Sequence, residues 1–363
     1  MNAVSDTVLF IQNRTHRAGA QTCLMRLLRH EGMRRWNPFL LCSPGGWLPA
    51  ECARYGVAVI EQEFPRSRSL SGRLFGNAVF AREVVKKLGV RGLRPSIIHA
   101  NDHQEGLLGL KLAAHFNAGS AMFLRSPGMT EDDYRKYRCG EYQFLSAVGD
   151  EFRDRAQGWE SAKNIELIHD GIYADEFLPP KPKASLPPQR VLVVGSPLDW
   201  KGWADLTDAL HLLEGKGVAL PAAFDFTGVS PDPAYNDLKL ARLSKIQCNF
   251  LGRVEGFRDL VRTYDLVINP SRMETFGMAA IEVLAAGVPL LSSRSGVIEQ
   301  VLSAAILFEP YDPASLAVVL DAVLGRWSGV DFGVVQAQAA ICDKFLVDRA
   351  VRKLDAAYLD LSR

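Results

Sequence analysis

Two carboxylates eight residues apart carry the most chemistry in this sequence. They are Glu274 and Glu282, in Asn269-Pro-Ser-Arg-Met-Glu274-Thr-Phe-Gly277-Met-Ala-Ala-Ile-Glu282-Val-Leu-Ala-Ala-Gly287-Val-Pro289. A carboxylate accepts two hydrogen bonds from a vicinal diol, so such a pair can hold a ribose and a second sugar together. The run predicts a strand ending at Asn269-Pro270, a loop carrying Glu274, and a helix starting near Phe276 and Gly277 with Glu282 in its second turn. Glycine at a helix start lets an anion such as a diphosphate approach the first N–H groups, where the helix dipole also favours it. Taken singly, Glu274 is a surface loop acid and Glu282 an acid at home near a helix N-terminus. A second run, Val194-Gly195-Ser-Pro-Leu-Asp-Trp-Lys201-Gly202, follows another predicted strand. Its lysine is either an ordinary helix-entry residue or a cation for the same diphosphate.

These runs resemble the family 4 glycosyltransferases, retaining enzymes of the two-domain GT-B fold with a Glu-x7-Glu motif. The resemblance implies that Glu274 contacts the donor sugar and Glu282 the nucleotide ribose, with Thr275, Phe276, Gly277 and Met278 beside the sugar and phosphates. It makes Lys201 a diphosphate ligand in a loop with Gly195 and Ser196. Serine stands where the family's Gly-Arg-Leu…Lys-Gly loop has arginine, so half of that clamp is missing or supplied elsewhere. In Phe250-Leu-Gly-Arg253-Val254, the Val254 backbone would reach the nucleobase, while Arg253 is a cation facing the donor or a plain surface charge. In the first half, Ala18-Gly19-Ala20 resembles the family's Gly-Gly-Ala loop. Gly19 would then approach the diphosphate with Arg17 or His16 in reach; simple turn residues are the alternative. Ser96-Ile-Ile-His99-Ala-Asn101-Asp102-His103 resembles a Val-His-x-His-Asp segment. Asn101 falls where the family often has a histidine that bonds the donor sugar, and an amide can make that bond but carries no proton. His103 points into the site or starts a helix, Asp102 suits an N-cap, and His99 suits a core. Arg125 is a phosphate partner or half of a structural ion pair. Ile168-His-Asp-Gly-Ile172 resembles an interdomain segment and reads as hinge. The resemblance thus assigns catalysis to Glu274, Lys201, Asn101 and His103, with no enzyme nucleophile and no metal.

Positioning these residues requires strands alternating with helices. Predicted strands are Val8–Ile11, Phe39–Cys42, Val57–Ile60, Ile97–Ala100, Ala121–Leu124 and Phe144–Val148. A second set is Val191–Val194, Ala223–Thr227, Cys248–Leu251, Leu266–Asn269, Pro289–Ser292 and Ala305–Phe308. Amphipathic runs between them include Thr22–His30, Gly76–Leu88, Gly106–Phe116, Ala204–Leu213 and Gly277–Ala286. Such alternation implies an α/β protein with doubly wound parallel sheets, and ligands at their C-terminal edges. With the resemblance, the expectation is two Rossmann-like domains facing a central cleft. Prolines 179, 180, 182, 187 and 188 suggest a linker over 179–189 between residues 1–178 and 190–340. Val334–Leu361 reads mostly as helix, and residues 341–363 are expected to pack back on the N-terminal domain.

Composition bounds the rest. The 363 residues carry a net charge of +1 and 48% hydrophobic residues, which suits two cores and argues against a general nucleic-acid binder. The first 100 residues hold about 15 Lys and Arg, Arg14, Arg17, Arg26, Arg29, Arg34, Arg35, Arg66 and Arg68 among them, against about 6 acids. These are solvated helix faces, or a basic face for an anionic membrane or a phosphate-bearing acceptor. Six scattered cysteines without C-x-x-C spacing read as buried apolar groups in a reducing compartment. The expected protein is cytoplasmic, touching the inner membrane face at most. Its expected donor is a nucleoside diphosphate sugar, UDP or GDP ahead of ADP, and its acceptor a glycan or lipid-linked hydroxyl, as in bacterial polysaccharide or lipopolysaccharide synthesis. The alternatives are an epimerase or phosphorylase of the same fold and a non-catalytic sugar-nucleotide-binding protein.

Overall fold

The computed structural model describes residues 6–65, 70–160, 162–228, 243 and 246–362. The chain divides into two compact units, Met1–Tyr173 with Phe345–Arg363, and Ala174–Lys344.

The first unit is built on strands β1 Val8–Gln12, β2 Phe39–Cys42, β3 Ala58–Glu61, β4 Ile97–Ala100, β5 Gly119–Leu124, β6 Phe144–Ala147 and β7 Glu166–Leu167. They form a parallel sheet in the order β3-β2-β1-β4-β5-β6-β7. Continuous apolar runs are needed because both faces are covered. Val8, Leu9, Phe10 and Ile11 are all 0% exposed. On one face Leu9, Ile11, Phe39 and Leu41 pack with Phe80, Val84 and Leu88 of the helix Leu70–Val90 and Leu108 and Leu112 of the helix Gly106–Phe116. The last helix, Val347–Leu361, belongs to this unit and buries Val347, Val351, Leu354 and Tyr358 along one stripe. Tyr358 meets the Trp36 ring edge-on, and Trp36 Nε1 donates to Asp355 at 2.9 Å.

The second unit contains β8 Arg190–Val193, β9 Ala223–Phe226, β10 Gln247–Phe250, β11 Val267–Asn269, β12 Leu290–Ser293 and β13 Leu307–Phe308. Their order is β10-β9-β8-β11-β12-β13, again all parallel. In each sheet the winding reverses once, between β1 and β4 and between β8 and β11. At such a switch point the loops leaving the two strands diverge and open a crevice at the C-terminal edge.

The segment expected as a linker is not loose. Leu178 N donates to Ala285 O, Lys181 N to Gly287 O, and Lys183 Nζ to the carbonyls of Trp327, Ser328 and Val330, all inside the second unit. Gly287 (φ +76°) is required there, since a Cβ would stand 2.5 Å from Pro179 O. The chain passes between units at Tyr173–Ala174 and again at Lys344–Phe345. The second passage divides the expected long helix into Val334–Lys344 and Val347–Leu361.

Candidate functional site

In the second unit the two runs singled out by sequence leave adjacent strands at the switch point. β11 ends at Asn269, and the helix Met278–Ala285 begins after Gly277, whose φ of +97° and lack of a side-chain cap leave the helix start open. Thr275, Phe276 and Met278 are buried around it, and Glu282 lies half-buried in the second turn. The loop after β8 crosses over that of β11. Gly202 (φ +68°) approaches so closely that a Cβ would lie 1.8 Å from Pro270 O. Trp200 O accepts from Arg272 N at 2.8 Å, and Arg272 forks onto Asp205 at 2.8 and 2.6 Å and onto Asp199 at 2.8 Å. The outcome is an ion pair across the two loops, Lys201 Nζ to Glu274 Oε1 at 2.5 Å, with side chains 21% and 13% exposed. A third loop braces them: Val297 N donates to Phe276 O, and Gly296 (φ +69°) passes where a Cβ would be 2.3 Å from that oxygen.

Gly195 (φ +132°) donates its N–H to Thr227 Oγ1 at 3.0 Å, and Ser196 follows half-buried. Arg253 is exposed after β10, with Val254 half-buried beside it. The sequence reading missed Arg272 and Gly296. Arg272 looks like any loop arginine because its partners lie 67 and 73 residues away. Gly296 sits in a plain Ser-Gly turn.

In the first unit the segments after β1, β4 and β5 make a buried polar network. Asn101 is 0% exposed; its Nδ2 donates to Gln12 Oε1 at 2.5 Å and its Oδ1 accepts from Arg125 Nε at 3.1 Å. Both ends of the amide therefore serve the fold, each with one hydrogen-bonding position beyond the bond it makes. Arg125 in turn donates to both carboxylate oxygens of Asp170 at 2.6 Å and stacks on Phe123, which resolves its reading toward the structural ion pair. His103 opens a short 3-10 turn, His103–Glu105, capped by Asp102, and is only 5% exposed. Burial alone would lower its imidazole, but the hydrogen bond and charge of Asp102 (Nδ1 to Oδ1, 2.9 Å) outweigh that and raise it. Burial likewise pushes Asp102 up, and the bonds from His103 and Ser126 bring it below the usual range. His99 is a core residue, held by Tyr358 OH at 2.5 Å between Phe10 and Phe123, and burial drives its pKa well down. Gly19 is the first residue of the helix Gly19–Leu28, exposed, with nothing within 4 Å of a would-be Cβ. Arg17 is exposed and lies over the Trp47 ring at 5.6 Å.

The basic excess is partly internal. Arg26 is buried, Arg29 lies over the rings of Tyr55 and Tyr173, and Arg35 pairs with Asp355 at 2.6 Å; Arg14 and Arg34 are exposed. Arg66 and Arg68 lie outside the described residues.

Residues 188–326 match the family Glycosyl transferases group 1. HepE of Anabaena, crystallised with UDP and glucose, superposes with a TM-score of 0.79 over 97% of this chain and 99% of that one, at 17% identity. The chain has the GT-B fold, and within it residues 188–326 are similar to the group 1 glycosyl transferases. It is 31% identical over 114 residues to an uncharacterized glycosyltransferase of Methanocaldococcus jannaschii, covering 30% of this chain and 29% of that protein. D-inositol 3-phosphate glycosyltransferase 1 of Catenulispora acidiphila is 34% identical over 97 residues, 25% of this chain and 23% of its own. The matched stretches thus span less than a third of these relatives. Among the described residues no helix is long and apolar enough to cross a membrane.

Proposed function

We propose that this GT-B protein transfers a glycosyl unit from a nucleoside diphosphate sugar to a hydroxyl acceptor with retention of configuration. The observation that carries the reading is the Lys201–Glu274 pair, set at the β8/β11 switch point in front of an uncapped helix start. An arriving diphosphate would draw Lys201 to itself and meet the N–H groups of that helix, which oppose the charge that grows on the leaving group. Glu274, released from Lys201, would take sugar hydroxyls, and Glu282 the ribose. UDP is the first nucleotide to test, because HepE, alike in fold, was also crystallised with UDP-glucose. The departing phosphate would take the acceptor proton, so no enzyme base is required. The acceptor is a glycan or lipid-linked hydroxyl, with the exposed arginines of the first unit available to an anionic surface.

A thermal-shift screen of UDP, GDP, ADP, CMP and their sugars tests this, since a ligand bound only by the native state raises the melting temperature. One diphosphate family should stabilise the wild type and lose its effect in Glu282→Ala. Glu274→Ala should keep nucleotide binding and lose turnover. Wild-type behaviour of both variants would overturn the site. Binding without transfer to any acceptor would leave a sugar-nucleotide-binding protein.

A further inference from the structure

Lys201 is carried by the 3-10 turn Asp199–Lys201, none of whose residues is buried and which has no side-chain cap. Apolar packing therefore does not fix the turn, and a short turn of this kind opens readily unless something else holds it. Arg272 grips it on both sides of the lysine. Its N–H donates to Trp200 O at 2.8 Å, its Nη1 to Asp199 Oδ1 at 2.8 Å, and its Nε and Nη2 to the two oxygens of Asp205 at 2.8 and 2.6 Å. Asp205 is buried in the first turn of the helix Trp203–Gly215, so the fork reaches past Lys201 to the element that follows it. From a third loop, after β13, the ring of Tyr311 faces the guanidinium at 5.1 Å. Tyr311 holds a left-handed backbone (φ +62°), a conformation costly for an aromatic residue and kept only where the surroundings over-determine it.

We propose that Arg272 is a positioning residue that clasps the Lys201 turn to the loop of Glu274, so that Lys201 can leave Glu274 for a diphosphate without the two loops parting. That Lys201 meets a diphosphate rests on the function proposed above; the clasp itself does not. The Lys201–Glu274 pair ties the same two loops, but a donor that takes the lysine dissolves that tie. Arg272 stands two residues before Glu274, and its bonds use no atom of the pair, so they persist when the pair opens. A guanidinium can meet both oxygens of Asp205 and still offer a third nitrogen to Asp199. An ammonium in its place is a point charge, which keeps the attraction and loses the alignment. The Asp199 arm is exposed and contributes little alone, so the sheltered Asp205 arm carries the hold.

The test compares nucleoside diphosphates with their monophosphates, because the second phosphate isolates the lysine's share of binding. The probes are UDP and UMP, then GDP with GMP and ADP with AMP where the wild type takes up no UDP. In calorimetric titrations Arg272→Lys should lose about tenfold in diphosphate affinity, the weakening of one charge-assisted contact, and nothing in monophosphate affinity. Lys201→Met should lose at least as much. The double variant should lose no more than Lys201→Met alone, since a residue that acts through the lysine then has nothing left to position. Equal losses for diphosphate and monophosphate, additive losses, or wild-type affinity in Arg272→Lys each overturn the proposal. Asp205→Asn cuts the same fork from the helix side and should behave alike, so the result does not hang on one variant folding.

Amide hydrogen exchange separates the clasp from the donor reading. Peptides covering residues 197–204 should exchange several-fold faster in Arg272→Lys and in Asp205→Asn than in the wild type, and wild-type protection there in both variants overturns the clasp. If the wild type binds none of the nucleotides, the donor assignment falls, while the exchange result still decides the clasp.

Discussion

Lys201 and Glu274 hold each other in a place where neither is fully solvated, so each is poised for a stronger partner. For the transfer proposed above, Lys201→Met should lower kcat/KM for the nucleotide-sugar donor about a hundredfold, on the order of 3 kcal/mol of lost charge stabilisation. Its melting temperature should move by only a few degrees; unchanged kcat/KM would remove lysine from the mechanism. His99 makes a different prediction, in stability alone. Burial drives its pKa well down, so the folded protein keeps the ring neutral while the unfolded chain takes up a proton below about 6.5. The stability this contributes is present above that pH and falls as pH falls, by up to about 1.4 kcal/mol per pH unit. Urea midpoints at pH 7, 6 and 5 should show a shallower decline for His99→Gln; an identical decline would assign the effect to other groups. Neither role could be read from residue type. Lysine before glycine and histidine in a strand are common, and what distinguishes them here is a partner 73 or 259 residues away.

Between strands, the glycines separate close approach from open room. A Cβ at Gly202 would meet Pro270 O at 1.8 Å in a left-handed backbone, so Gly202→Ala should cost about 3 kcal/mol or more and separate the two site loops. Calorimetry of the variant would show it as a depressed transition. Gly19 has nothing within 4 Å of a Cβ, and Gly19→Ala should leave stability unchanged or slightly raised. If a diphosphate approaches that backbone, the same variant should bind UDP several-fold more weakly; unaltered UDP affinity would make Gly19 an ordinary helix start. Elements of this kind are well marked in the sequence. β2, β4 and the helix Gly106–Phe116 fall where apolar runs and turn residues put them. β7 was not, being two residues long, half-exposed and without an apolar run. Nor was the packing of the proline-rich segment 179–189, because proline density speaks of irregular backbone and not of what that backbone touches. The same limit applies to Asn101. Its type and position in the segment suit a sugar contact, and only the tertiary approach of Gln12 and Arg125 shows both ends of the amide already engaged.

For the molecule as a whole, the return of Val347–Leu361 to the first unit completes that unit with a segment that follows the second in sequence. Gly171 makes room for it, since a Cβ there would stand 2.5 Å from Val347 N, and Ile172 exchanges backbone hydrogen bonds with Phe345 and Val347. A chain ending at Leu346 should lose the folding transition of the first unit while the second keeps its own. Hydrogen exchange resolved by unit would show this; native protection of β1, β4 and β5 in the shortened chain would count against it. The arrangement has a further consequence at the ribosome. The unit that emerges first is completed last, because the whole of Ala174–Lys344 is translated before its closing helix exists. At about 5–20 residues per second that interval lasts on the order of ten to thirty seconds. Throughout it, Trp36 and His99 lack the tyrosine that seals them, so nascent chains should recruit chaperones at the first sheet even after the second unit has folded.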